Sequence, residues 1–162
     1  MPTPLTTTTV TIYTDGSCHP PLRMGAWVAI LLKGDEKTVL TGTATDATNN
    51  SMELTAVIKA IEYVLAHYAG TTSLTIVTDS QYVTGLPARK EKLTARDFNT
   101  RKGDELRNAD LVKTLFGYLP ALDIEFVKIK AHQKRNGVAD YNVEADKQSR
   151  KLVREMVKGN CL

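Results

Sequence analysis

The stretch Thr9 to Ser17, TVTIYTDGS, decides how the chain is read. Val10 and Ile12 alternate with threonines, the period of a strand with one covered face. The run delivers Asp15 at its end, against a Gly16–Ser17 turn. A carboxylate at the end of a buried strand is costly to desolvate unless something positive meets it. A divalent cation meets that need, and three more carboxylates from distant parts of the chain are expected to converge on it.

Working outward, Cys18 to Met24 reads as a loop, because Pro20 and Pro21 deny it ladder hydrogen bonds. Gly25 to Leu32, GAWVAILL, is nearly continuous in apolar residues and predicts a strand buried on both faces. Lys33 to Glu36 is a turn, and Lys37 to Ala44 a returning strand. Short loops between these three runs predict an antiparallel meander.

Thr48 to Ser51 offers helix N-caps. The helix that follows places Leu54, Ile58, Ile61, Leu65 and Tyr68 on one stripe, and Gly70 closes it. Ser73 to Thr78 is a short apolar strand ending in Asp79. A strand, helix, strand order with a helix-length crossover predicts a parallel pair, and strands one and four are the natural neighbours at the switch point where sites collect. Gln81 to Gly85 predicts a short helix. From Leu86 to Arg107 the chain turns basic, with Arg89, Lys90, Lys92, Arg96, Arg101, Lys102 and Arg107. Asn108 or Asp110 caps a further helix that Pro120 stops, and Leu122 to Ile129 alternates as a fifth strand. Ala131 to Gly137 is a polar loop. A last helix from about Asp140 to Val157 is expected to bury Ala145, Leu152 and Met156. The order βββαβα(α)βα gives an α/β (α+β) class with a five-stranded mixed sheet.

Composition bounds the function. The 162 residues, 42% hydrophobic, supply one core of ordinary domain size. The expected organisation is a lead-in over 1–8, one domain over 9–158 and a tail over 159–162. No apolar run is long enough for a membrane span, and MPTPLTTTT lacks the pattern of a signal peptide. Cys18 and Cys161 are too few for a disulfide framework, so a cytoplasmic location is expected. The net charge of +3 permits a polyanionic partner without requiring one. A monomer with no obligate protein partner is expected.

Four acids stand at element boundaries: Asp15, Glu53, Asp79 and Asp146. Each alone is an ordinary turn or helix-start residue. Together, clustered carboxylates raise one another's pKa, a penalty that divalent cations remove. Hard cations such as Mg²⁺ take oxygen ligands and substrate phosphates. Two ions about 4 Å apart can activate water and stabilise a leaving oxygen in phosphoryl displacement.

The letters around these acids resemble the type 1 ribonucleases H. The matching motifs are Tyr13-Thr14-Asp15-Gly16-Ser17-Cys18, Thr48-Asn49-Asn50-Ser51-Met52-Glu53-Leu54 and Thr78-Asp79-Ser80-Gln81-Tyr82-Val83. Asn108-Ala109-Asp110-Leu111, Val127 to His132 and Asn142-Val143-Glu144-Ala145-Asp146 follow in the family's order. The resemblance implies a five-stranded mixed sheet flanked by helices. It also implies Mg²⁺-dependent endonucleolytic cleavage of the RNA strand of RNA–DNA hybrids, leaving 5′-phosphate and 3′-hydroxyl ends, with Mn²⁺ as a possible substitute. By position, Asp15 bridges two metals, Glu53 and Asp79 ligate the leaving-group ion, and Asp146 holds the ion carrying the attacking water. His132 assists proton transfer or product release. Cys18, Thr48, Asn49, Ser80 and Gln81 match positions that grip the hybrid.

Three departures from the family pattern stand out. His19 to Met24 replaces a loop that usually carries glycines and an asparagine. The basic segment Leu86–Arg107 lacks the tryptophans of the usual hybrid-binding handle and is expected to be mobile, while the single Trp27 reads as core. The stretch between His132 and Asp146 is longer than in many members, which makes Asp140 a rival fourth ligand. The alternatives to a stand-alone ribonuclease H are a hybrid-binding module or a retroelement-type nuclease of the same fold.

Overall fold

The structure, a computed structural model, describes residues 8–99, 108–130 and 140–160. Five strands form one sheet: β1 (Thr8–His19), β2 (Met24–Lys33), β3 (Glu36–Ala44), β4 (Thr71–Thr78) and β5 (Asp123–Lys128). Their order is β3-β2-β1-β4-β5. The first three pair antiparallel, whereas β1 with β4 and β4 with β5 pair parallel. The mixed sheet is therefore as the element order predicts.

Alternation along β1 and β2 sends side chains to two cores. Val10, Ile12, Ala29 and Leu31 face a large core shared with α1 (Asn49–His67), α2 (Gln81–Ala95) and α3 (Ala109–Tyr118). Val28 and Ile30 face the other way, where Ala145 of α4 (Tyr141–Asn160) seals a smaller core with Tyr13, Leu32, Tyr141 and Leu152 around it. The sheet is thus sandwiched, with α4 the one helix on its second face among the described residues.

Several local expectations are corrected. β1 does not stop at Asp15: it leaves β4 after Tyr13 but stays paired with β2 as far as His19↔Met24. The two prolines fall just beyond that ladder, so Cys18 and His19 are strand and only the turn after them is loop. On α1 the buried seam runs through Leu54, Val57, Ile61 and Val64, leaving Leu65 46% exposed. Trp27 is half-buried rather than core, because it lies over Gly42 of β3, its partner in register.

The short helix expected over Gln81–Gly85 continues through Pro87 to Ala95. Proline removes one backbone hydrogen bond, a local cost. Burial of Val83, Leu86 and Leu93 against the main core outweighs it. Arg89, Lys90 and Lys92 therefore sit on a helix rather than on a mobile segment. Arg101, Lys102 and Arg107 lie outside the described residues, as does the expected 131–137 loop. Finally, α4 buries Asn142, Ala145, Ser149 and Val153, whereas Leu152 and Met156 are only half-covered.

Candidate active site

The parallel pairing of β1 with β4 places Tyr13 beside Val77. Carried on by two residues, that register sets Asp15 beside Asp79 on neighbouring chains about 4.8 Å apart. Asp15 still belongs to the β1–β2 ladder, opposite Val28, and is 3% exposed. Asp79 follows β4 directly and precedes Ser80, whose hydroxyl accepts from Val83 N and caps α2.

Glu53 comes from the first turns of α1. Thr48 caps this helix: its Oγ1 accepts from Ser51 N at 3.0 Å, and its own N–H donates to Ser51 Oγ at 2.9 Å. Gly16 lets the helix approach. A Cβ there would overlap the Glu53 amide nitrogen and lie 2.5 Å from the Met52 carbonyl carbon. The Gly16 amide in turn donates to the Glu53 carboxyl.

One carboxylate oxygen from each of Asp15, Glu53 and Asp79 lies within 4.8 Å of the others. Burial, followed by the Asp79 charge, pushes Asp15 up to about 7. Burial, followed by the charges of Asp15 and Asp79, pushes Glu53 up to about 10. Hydrogen bonding between the two carboxyls lowers Asp15 and raises Glu53. Glu53 Oε2 is buried with no hydrogen-bond partner among the described residues. Buried polar atoms are rarely left so. An orphaned carboxylate oxygen beside two more carboxylates suits a hard divalent cation, whose ligands are oxygens.

A family model of RNase H matches residues 7–154. The chain belongs to the RNase H family. It is 37% identical over 151 residues to a ribonuclease H of Anaplasma marginale, spanning 91% of this chain and 93% of that protein. It is 31% identical over 149 residues to one from Caldicellulosiruptor saccharolyticus, spanning 91% and 97%. The fold matches that of LC9-RNase H1, described as a type 1 RNase H with the type 2 active-site motif. The TM-score is 0.75 at 21% identity, covering 93% of this chain and 74% of that one.

Against this RNase H frame, the fourth acid stands beside the cluster and not within it. Asp146 is half-buried on α4, pairs with Arg150 Nε at 3.1 Å, and its charge also raises Asp15. Its rival Asp140 is occupied as a helix cap: Oδ1 accepts from Val143 N at 3.2 Å and its carbonyl accepts from Glu144 N. His132 lies outside the described residues.

The expected substrate-binding positions divide by what their polar groups already do. Asn49 and Gln81 are exposed at the first positions of α1 and α2. Thr48 and Ser80 accept backbone N–H bonds, which leaves each hydroxyl its own proton to donate. Cys18 Sγ donates to Ala47 O at 3.2 Å, tying β1 to the approach of α1.

The sequence reading overlooked Ser149. Its side chain is fully buried, and its Oγ lies 3.0 Å from Asp15 Oδ2 and 3.1 Å from Asp146 O. A serine one turn beyond Ala145, on the seam that α4 buries, was the available signal.

Proposed function

We propose that the chain is an endonuclease that hydrolyses the RNA strand of RNA–DNA hybrids, leaving 5′-phosphate and 3′-hydroxyl ends. The observation that carries this reading is the buried trio Asp15, Glu53 and Asp79, with its orphaned Glu53 oxygen, in a chain of the RNase H family. In this reading residues 9–158 are the catalytic unit. Asp15 would be shared by two Mg²⁺ ions, with Glu53 and Asp79 on one and Asp146 on the other, and Mn²⁺ can replace them. Bound there, divalent cations supply an activated water and a counter-charge for the leaving oxygen.

The protein's own part is to hold the acids. Ser149 donates to Asp15 and fixes its carboxylate plane. Gly16 brings Glu53 up to the sheet and steadies it by its amide. His132 is assigned to proton transfer near neutral pH. RNA is told from DNA by its 2′-hydroxyls in a wide, shallow minor groove. Asn49, Gln81, the Ser80 hydroxyl and the backbone at Cys18 are assigned to those hydroxyls, and the Thr48 hydroxyl to a phosphate of the DNA strand. The test is a panel of hybrid, double-stranded RNA, double-stranded DNA and single strands with Mg²⁺. Selective loss of the RNA in the hybrid supports the reading, and equal attack on double-stranded RNA defeats it.

Three substitutions probe the site's edges. Asp146→Asn should lower hybrid cleavage roughly 100-fold or more, as loss of an electrostatic centre in an active site does. Asp140→Asn should stay within about threefold of wild type, because asparagine caps a helix as well as aspartate does. An inactive Asp140→Asn beside an active Asp146→Asn would reverse the assignment. Ser149→Ala should raise the half-saturating Mg²⁺ concentration about 10-fold or more, the usual cost of losing a hydrogen bond to a metal ligand. An unchanged Mg²⁺ curve would show that Ser149 only fills space.

A further inference from the structure

We propose that the outer face of α4 is a second contact surface for nucleic acid, one that holds a phosphodiester backbone. Lys147, Lys151, Arg154 and Lys158 recur at steps of four, three and four, and all are exposed. At 3.6 residues per turn they fall within an arc of about 60° and extend about 16 Å along the helix. The buried seam of Asn142, Ala145, Ser149 and Val153 lies on the opposite side of the same helix. The stripe therefore points straight out from the sheet's second face.

An ordinary solvated helix face mixes charge signs. Here every charge within the arc is positive. Glu155 stands at its rim, and Glu144, at the other end of the helix, is engaged by Lys37 Nζ at 2.8 Å. Like charges three and four residues apart repel along a helix. Lys158, in the last turn, gains from the helix dipole. Lys147 and Lys151, farther toward the N-terminus, gain nothing from it. A row of phosphates offsets the repulsion along the whole stripe, because a nucleic-acid strand presents a charge every ~3.4 Å.

The stripe is also separate from the other basic surface. Arg89 and Lys92 are exposed on α2, which packs against the main core on the opposite face of the sheet. The choice of nucleic acid among polyanions leans on the proposed function, but the contact itself is read as binding, without cleavage.

The experiment is fluorescence anisotropy of a labelled duplex DNA and an RNA–DNA hybrid in EDTA, across a range of KCl. It compares wild type with the variant Lys147→Gln, Lys151→Gln, Arg154→Gln and Lys158→Gln combined. Neutralising the stripe should reduce the slope of log affinity against log salt by about 3 for both duplexes, since roughly three to four phosphate contacts at about 0.9 each are lost. Between about 50 and about 200 mM salt the variant should then lose roughly 60-fold less affinity than wild type. Its melting temperature should equal or exceed that of wild type, because repulsion is relieved. An unchanged slope overturns the proposal, even if the wild type cleaves hybrid normally. So does a variant that binds both duplexes as before but no longer binds vesicles of anionic lipid. A reduced slope in a wild type that fails to cleave hybrid supports the stripe and defeats the cleavage reading instead.

Discussion

Asp15→Asn should reduce hybrid cleavage about 1,000-fold or more and at the same time make the metal-free protein more stable at pH 8. The first effect follows from its place: Asp15 is the acid with a neighbour on every side, near Asp79, Glu53, Asp146 and Ser149. Loss of one charge-stabilising group in an active site commonly costs 100- to 1,000-fold, and Asp15 would be lost to both ions. The second effect follows from linkage. Asp15 rises from an unfolded value of about 4 to about 7, and Glu53 from about 4 to about 10. The folded protein therefore holds more protons than the unfolded chain once pH exceeds about 4. Stability from these groups is full below that pH and is lost as pH rises through their folded values. Asparagine carries no charge to desolvate, so the variant escapes the loss. At pH 8 it should gain roughly 1–3 kcal/mol, and near pH 4 almost nothing. Melting curves at both pH values read this directly. Parallel profiles for variant and wild type would mean that the carboxylates do not repel in the folded state.

Gly16→Ala should be the most damaging alanine substitution among the described glycines. The added Cβ would overlap backbone atoms of α1 at Met52 and Glu53, and backbone cannot swing aside as a long side chain can. To admit it, α1 must back away from β1 at the point where Glu53 joins the cluster. Overpacking of this kind costs about 1–3 kcal/mol. A shift of about 1 Å in a catalytic group can cost about 100-fold in rate. Gly85→Ala supplies the contrast. Gly85 is inside α2, and a Cβ there meets nothing within 4 Å. Alanine should stabilise the helix by about 0.5–1 kcal/mol and leave cleavage unchanged. Equal tolerance of both substitutions would show that the close approach of α1 to β1 does not position Glu53.

Much of this site is legible in the amino-acid sequence. The approach of Asp15 to Asp79 was legible in part: the antiparallel meander makes β3 run the same way as β1, and α1 carries the chain from β3 into β4 with that direction kept, so β4 runs parallel to β1. Glu53 was legible from the Thr48–Ser51 cap, which fixes where α1 begins. Less legible were features that depend on register between elements. The extension of β1 beyond Asp15 rests on its ladder with β2, which local sequence does not encode. The passage of α2 through Pro87 rests on core contacts that outweigh a local breaker. On α4, reading Leu152 and Met156 as inward with Ala145 turns the buried face by about 45° from the observed seam of Asn142, Ala145, Ser149 and Val153. Hydrophobicity favoured the leucine and methionine, whereas the narrow space against β1 and β2 takes alanine, serine and valine. A polar residue on a buried seam was the signal passed over.

The most direct test of the proposed chemistry is the fate of end-labelled RNA annealed to DNA. Wild type should cleave it internally with Mg²⁺ or Mn²⁺, and the fragments should carry 5′-phosphate and 3′-hydroxyl termini. EDTA and Asp15→Asn should each leave it intact. Cleavage that persists in EDTA, or that survives Asp15→Asn at the wild-type rate, would contradict the assignment of the Asp15–Glu53–Asp79 cluster as the cation-dependent catalytic site.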